Sequence, residues 1–174
     1  MMRQTTRFLV ATLGLSLAGC IGAQQRPSPA GTADVSLKGQ TISVQYSRPS
    51  MRGRKIVGEL VPFGQVWRTG ANDATELSTP VNLTIGGANV PAGKYSLYSL
   101  VGEHDWKLII NKQTGQSGTE YHADQDLVRV DMRVGKTSAP VEQFTISWNK
   151  TGEDAADLVF EWETTKVSVP VKAK

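Results

Sequence analysis

The sequence predicts an all-β domain: a single antiparallel β-sandwich, or flattened barrel, of about eight to nine strands. Three observations lead there. From Ala33 onward, apolar residues recur mainly at every second position, the period of a half-buried strand. No segment keeps a helical period over a window of about 11 residues. Turn-forming residues (17 Gly and 8 Pro) punctuate the chain often enough to keep the strands short.

The elements follow in order. Residues 41–46 (TISVQY) alternate polar and apolar, and residues 81–85 (VNLTI) do the same before Gly86 and Gly87. Residues 90–93 (VPAG) read as a turn. Residues 95–100 and 106–110 form a hairpin about a turn at Glu103, His104 and Asp105. Residues 111–126 are polar and aperiodic, a long loop of the kind that often carries function. Residues 127–134 then alternate again. Val128, Val130, Met132 and Val134 fall on one face, with Arg129, Asp131 and Arg133 on the other, as in a strand buried on one side. Phe144, Ile146 and Trp148 share a face, as do Leu158, Phe160 and Trp162; Val167, Val169 and Val171 close the chain. The best helix candidate is residues 51–60, and Gly53 and Gly58 weaken it.

Ahead of this domain, residues 1–19 read as an export signal. Arg3 and Arg7 precede a short apolar core over residues 8–17, too short for a membrane-spanning helix. Leu17-Ala18-Gly19-Cys20 resembles the bacterial lipobox, in which the cysteine is lipidated and becomes the new N-terminus. Residues 20–32 are then a lipidated Cys20 and a flexible Pro- and Gly-containing tether, and residues 33–174 the sandwich domain. The expected location is a bacterial membrane reached through the lipid on Cys20. Ile21, a non-acidic residue after the cysteine, suits the outer membrane, facing the periplasm.

Composition narrows the function classes. Cys20 is the sole cysteine, which excludes an internal disulfide, a further cysteine nucleophile and a cysteine metal site. Without residues 1–19 the chain carries 17 Lys and Arg against 16 acids. A charge that near neutrality argues against nucleic acid as a partner. No cofactor motif is present: Gly93-Lys94-Tyr95 and Gly135-Lys136-Thr137 lack the upstream glycine of a phosphate loop. Ser147 and Lys150 match Ser-x-x-Lys in letters, but on a strand they face opposite ways.

Two candidate sites remain. The first is cationic: Arg48, Arg52 and Arg54, followed by Trp67, Arg68 and Asn72, with Glu59 the only acid between Arg48 and Arg68. Guanidinium groups beside an indole suit an anion such as a phosphate, a carboxylate, or a lipid or polysaccharide head group. The competing reading pairs the arginines with the carboxylates of Glu153, Asp154, Asp157, Glu161 and Glu163, makes Trp67 a core residue, and uses Asn72 to turn the chain. The second candidate is His122, Asp124 and Asp126, which strict alternation would place on one side of an extended segment as a metal or hydrolytic site. A solvated acidic loop explains the same residues.

The residue blocks carry a resemblance. Arg48-Pro49-Ser50-Met51-Arg52-Gly53-Arg54-Lys55-Ile56, then Leu60-Val61-Pro62-Phe63-Gly64 and Trp67-Arg68-Thr69-Gly70-Ala71-Asn72, resemble the hallmark run of a bacterial domain of unknown function, family 2911. Pro91 to Leu97, Trp106, Asn111-Lys112 and Phe144-Thr145-Ile146 resemble its later blocks, so the likeness spans about residues 33–172; the loop near Gly118 to Tyr121 departs from it. The resemblance implies an exported or lipid-anchored β-rich domain and supplies no catalytic residues. Three functions follow as expectations. The first is a non-enzymatic binding module for an anionic envelope component or another envelope protein. The second is a metal-dependent or hydrolytic enzyme, and the third a purely structural lipoprotein.

Overall fold

The computed structural model describes residues 28–174; the export signal, Cys20 and the tether up to residue 27 lie outside the described residues. Ten strands run in chain order: β1 (Ala30–Leu37), β2 (Gln40–Ser47), β3 (Gln65–Trp67), β4 (Thr75–Thr79), β5 (Leu83–Ile85), β6 (Ala88–Val90), β7 (Gly93–Val101), β8 (Trp106–Asn111), β9 (Asp126–Lys150) and β10 (Ala155–Ala173). Every strand pairing is antiparallel, along the path β1-β2-β4-β7-β8-β9-β10-β5-β6, with β3 beside β7. The path does not close into a barrel and is consistent with the expected β-sandwich. No helix among the described residues is long and apolar enough to cross a membrane.

Strand β9 joins the two halves. Its first part pairs with β8, from Asp126↔Asn111 to Met132↔Trp106. Its later part pairs with β10, from Arg133↔Ser168 to Lys150↔Ala156. Sequence reading divides this region into separate short strands, but β9 and β10 are each continuous. Their register shifts twice: residues 142–144 stand opposite Trp162 alone, and, as a bulge, residues 137–140 stand opposite Thr164 alone. Glu163 takes a positive φ of 57° there. A bulge bends a strand without ending it, so Gly135 and Pro140 do not break β9.

The core is one cluster of inward side chains from both halves, including Leu37, Ile42, Leu77, Leu97, Leu108, Phe144, Phe160 and Val169. Tyr46 ties β2 to β9 across it: its hydroxyl accepts from Ile146 N at 2.9 Å and is within 3.3 Å of Ile146 O. Residues 51–60, the best helix candidate, form no helix, in keeping with Gly53 and Gly58. That segment is a chain of turns, with Arg54 N donating to Met51 O and Val61 N to Ile56 O. Four strands were not foreseen: β1, which begins at Ala30, ahead of the expected boundary, and the short β3, β4 and β6, of which β4 follows the hallmark run.

Candidate functional site

The hallmark run builds two loops on one side of the sandwich. The first leaves β2, and its root is pinned to β9. Phe144 N donates to Pro49 O at 2.9 Å and Met51 N to Glu142 O at 2.8 Å. Ile56 and Val57 both donate their N–H to Glu163 Oε2 at 3.2 Å, while the Ile56 and Val61 side chains are buried. Between these anchors Arg52 and Gly53 have φ of 50° and 72°, the two positive values of a type I′ turn. A left-handed arginine is uncommon; here the turn carries Arg52 at its tip, with its N–H bonded to Glu142 Oε1 at 2.9 Å.

The second loop links β3 to β4 and is tightly specified. Thr69 is fully buried at φ 51°, strained for a β-branched residue. Its hydroxyl meets Ser99 Oγ at 2.8 Å, and its carbonyl accepts from Thr75 Oγ1 at 2.7 Å. Gly70 follows at φ 152°, where a Cβ would lie 3.0 Å from Ser47 O. Asn72, at φ 60°, donates through Nδ2 to Ser28 O and Ser47 Oγ, each at 3.1 Å. The long loop then locks on: Gly118 N donates to Asn72 O at 2.9 Å and Ala74 N to Gln116 O at 3.1 Å.

These anchors separate the expected binding residues. Arg52, Arg54, Trp67 and Arg68 line one cleft of about 350 Å³, together with Leu60 and Trp162. Arg48 and Asn72 do not line it. Arg48 is half-buried, with Nη2 donating to Thr145 Oγ1 at 3.3 Å and Nε toward Phe144 O at 3.5 Å, so it braces β2 against β9. Trp67 belongs to an aromatic cluster. It stacks on Trp162 at 5.7 Å and 19°, and meets Phe144 edge-on at 5.0 Å and Trp106 at 6.4 Å. It is only partly buried, and so serves both the core and the cleft floor.

The expected arginine–carboxylate pairs do not form for Arg48, Arg54 or Arg68 among the described residues. Asp154, Asp157 and Glu161 pair instead with Lys172, Arg133 and Lys166, and Glu163 holds backbone N–H groups. Arg54 donates to Met51 O at 2.9 Å and Ser50 O at 2.8 Å. Arg68 reaches Gly70 O at 3.4 Å, and a Cβ on Gly118 would lie 2.7 Å from its Cδ. Backbone carbonyls orient both guanidinium groups, and neither forms an ion pair among the described residues. A second, wider cleft of about 880 Å³ lies on the other side of Arg52, between the start of β1 and the long loop.

The His122, Asp124 and Asp126 arrangement needs correction. A 3-10 turn over Ala123–Gln125 interrupts the extended chain, so alternation does not bring the three together. His122 and Asp124 are exposed. Asp126 is occupied by donors: Tyr121 OH at 2.6 Å, Arg129 Nε at 2.9 Å and Asn111 Nδ2 at 3.0 Å. Among the described residues no group of three or more His, Cys, Asp and Glu is placed to hold a metal ion. Asp126, with Tyr121, Arg129 and Asn111, fastens the loop. Burial, then the Asp126 hydrogen bond, push the Tyr121 phenol up to about 12.

Sequence reasoning missed Trp162, which supplies half of the stacked indole floor from β10; its strand alternation marked it as core, and it is both. Gln116 was also missed. It is buried, donating to Ser96 Oγ and Tyr98 OH at 3.1 Å each, while its Oε1 has no partner among the described residues. No signal in the loop sequence separates it from its polar neighbours.

No curated protein and no solved structure matches the chain. A family model matches residues 28–171, nearly all of the described residues. The chain belongs to that family, whose description is protein of unknown function (DUF2911).

Proposed function

We propose that this protein is a non-enzymatic binding module of the bacterial envelope, lipid-anchored through Cys20, and that it holds an anionic group in the 350 Å³ cleft. One observation carries the reading. The cleft brings Arg52, Arg54 and Arg68 together over stacked indoles, and among the described residues its lining includes no His, Asp, Glu or Cys. Several guanidinium donors recognise a phosphate or carboxylate in a directed way. Acid–base or nucleophilic chemistry needs a general acid or base within reach, and among the described residues the lining offers only arginines as ionisable groups. The export signal and lipobox-like Leu17-Ala18-Gly19-Cys20 support the envelope location.

The test is paired substitution, Arg52→Asn with Arg68→Gln; asparagine tolerates the left-handed backbone at position 52. The folded double variant loses binding to envelope fractions that the parent retains. Equal binding by both proteins removes the cleft from the account. In the same cells, Cys20→Ala releases the protein from the membrane fraction, and continued fractionation with membranes through the N-terminus rules out the anchor.

A purely structural lipoprotein is the second reading. The observation in its favour is that Arg48, Thr69 and Asn72 of the hallmark run bond only to their own fold.

A further inference from the structure

Resting on the anion-binding reading of the cleft, we infer that the loop over residues 51–64 is a membrane-docking surface and that the anion it meets is the head group of an anionic bilayer. Three observations converge on this loop. It is cationic: Arg52, Arg54 and Lys55 lie on it and Arg68 beside it, with Glu59 the one acid between Arg48 and Arg68. Glu59 sits 3.8 Å from Lys55. Glu142 approaches from β9 and accepts the Arg52 N–H.

The loop is also apolar at its surface. Leu60 and Phe63 are each 45% exposed, and among the described residues the only other exposed large hydrophobic is Val134 at 41%. Leu60 shares the cleft with the three arginines, and Phe63 lies over Gly58, where a Cβ would be 2.9 Å from the ring. A polysaccharide or soluble anion gives no reason for exposed Leu60 and Phe63. A bilayer does, because its head groups neutralise the cations while the apolar side chains enter the acyl boundary.

The third observation is where the chain enters. Ser28 lines the cleft too. Eight peptide units separate it from Cys20, a reach of at most about 28 Å. An anchor on Cys20 would keep this face within that reach of the membrane.

The experiment uses the chain from residue 20 with Cys20→Ser, which removes the lipid and isolates the loop. It is sedimented with vesicles of phosphatidylcholine alone or mixed with phosphatidylglycerol, and titrated separately with glycerol phosphate. Expected are binding to the mixed vesicles that high salt abolishes, and a loss of about tenfold in Phe63→Ser, which does not line the cleft, with glycerol phosphate binding unchanged. Circular dichroism verifies that the variant keeps its strands. Glycerol phosphate binding without vesicle binding overturns the docking surface alone. Failure of both overturns the cleft reading with it. Vesicle binding indifferent to Phe63→Ser, or pelleting with isolated peptidoglycan in place of vesicles, overturns the inference as well.

Discussion

Arg48 and Arg52 stand four residues apart in the same hallmark run, and the fold gives them opposite work. Arg48 points inward, and its guanidinium ends on Phe144 O and Thr145 Oγ1 of β9. Arg52 sits beyond the end of β2 on a left-handed turn, exposed at the edge of two clefts. The same division runs through the second half of the signature. Thr69, Gly70 and Asn72 fix a strained loop to β2 and β7, whereas Arg68 lines the cleft without an ion pair among the described residues. A family signature can thus hold two classes of residue, and the partner of each side chain tells them apart.

The division predicts two kinds of damage. The largest loss of stability comes from the shared floor. Phe144→Ala removes a fully buried ring that contacts Tyr46, Trp67, Phe160 and Trp162, and should cost about 3–5 kcal/mol in urea unfolding. Next is Gly70→Ala, which places a side chain in a glycine-favouring conformation 3.0 Å from Ser47 O. About 1–3 kcal/mol is expected there, with anion affinity of the folded fraction unchanged. Asn72→Ala deletes two hydrogen bonds and a residue suited to φ 60°, for about 1–2 kcal/mol. A parallel loss of binding in these folded variants would merge the two classes.

The cleft side should behave in reverse. Arg68→Gln leaves stability within about 0.5 kcal/mol and weakens glycerol phosphate binding by roughly tenfold, the size of one charge-assisted hydrogen bond. A destabilisation as large as that of Asn72→Ala would move Arg68 into the bracing class.

The smallest expected effect concerns the Tyr121 fastener. Its phenol is raised from the ordinary value near 10 to about 12 in the folded protein. The folded state therefore favours the protonated phenol. That contribution is complete below about pH 10 and disappears as pH climbs through about 12. Tyr121→Phe should make the alkaline decline of stability shallower across that window, measured by denaturant midpoints at successive pH values. An unchanged slope would detach Tyr121 from the alkaline transition.

Much of the fold was legible because burial on one face forces alternation. Residues 41–46, 95–100 and 106–110 became β2, β7 and β8 within a residue or two. Continuity was not legible. Gly135 and Pro140 read locally as stops, yet pairing with β10 on both sides of the bulge carries β9 through. The site was half legible. The run from Arg48 to Asn72 announces itself by composition, but the inward turn of Arg48 depends on its meeting Thr145, 97 residues away in sequence. No local pattern encodes that register. His122, Asp124 and Asp126 failed for a related reason: one short 3-10 turn shifts the phase, and alternation stops predicting which side chains meet.

The central claim is that a directed cluster of arginines over stacked indoles binds an anion. The most direct measurement follows the tryptophan indole N–H signals by NMR during titration with glycerol phosphate. Trp67 and Trp162 floor the cleft, while Trp148 is tied to Ala33 O elsewhere in the fold and serves as an internal control. The account predicts saturable shifts at Trp67 and Trp162, a still Trp148, and no response in Arg52→Asn/Arg68→Gln. Shifts that are absent, equal at all three indoles, or preserved in the double variant would contradict it.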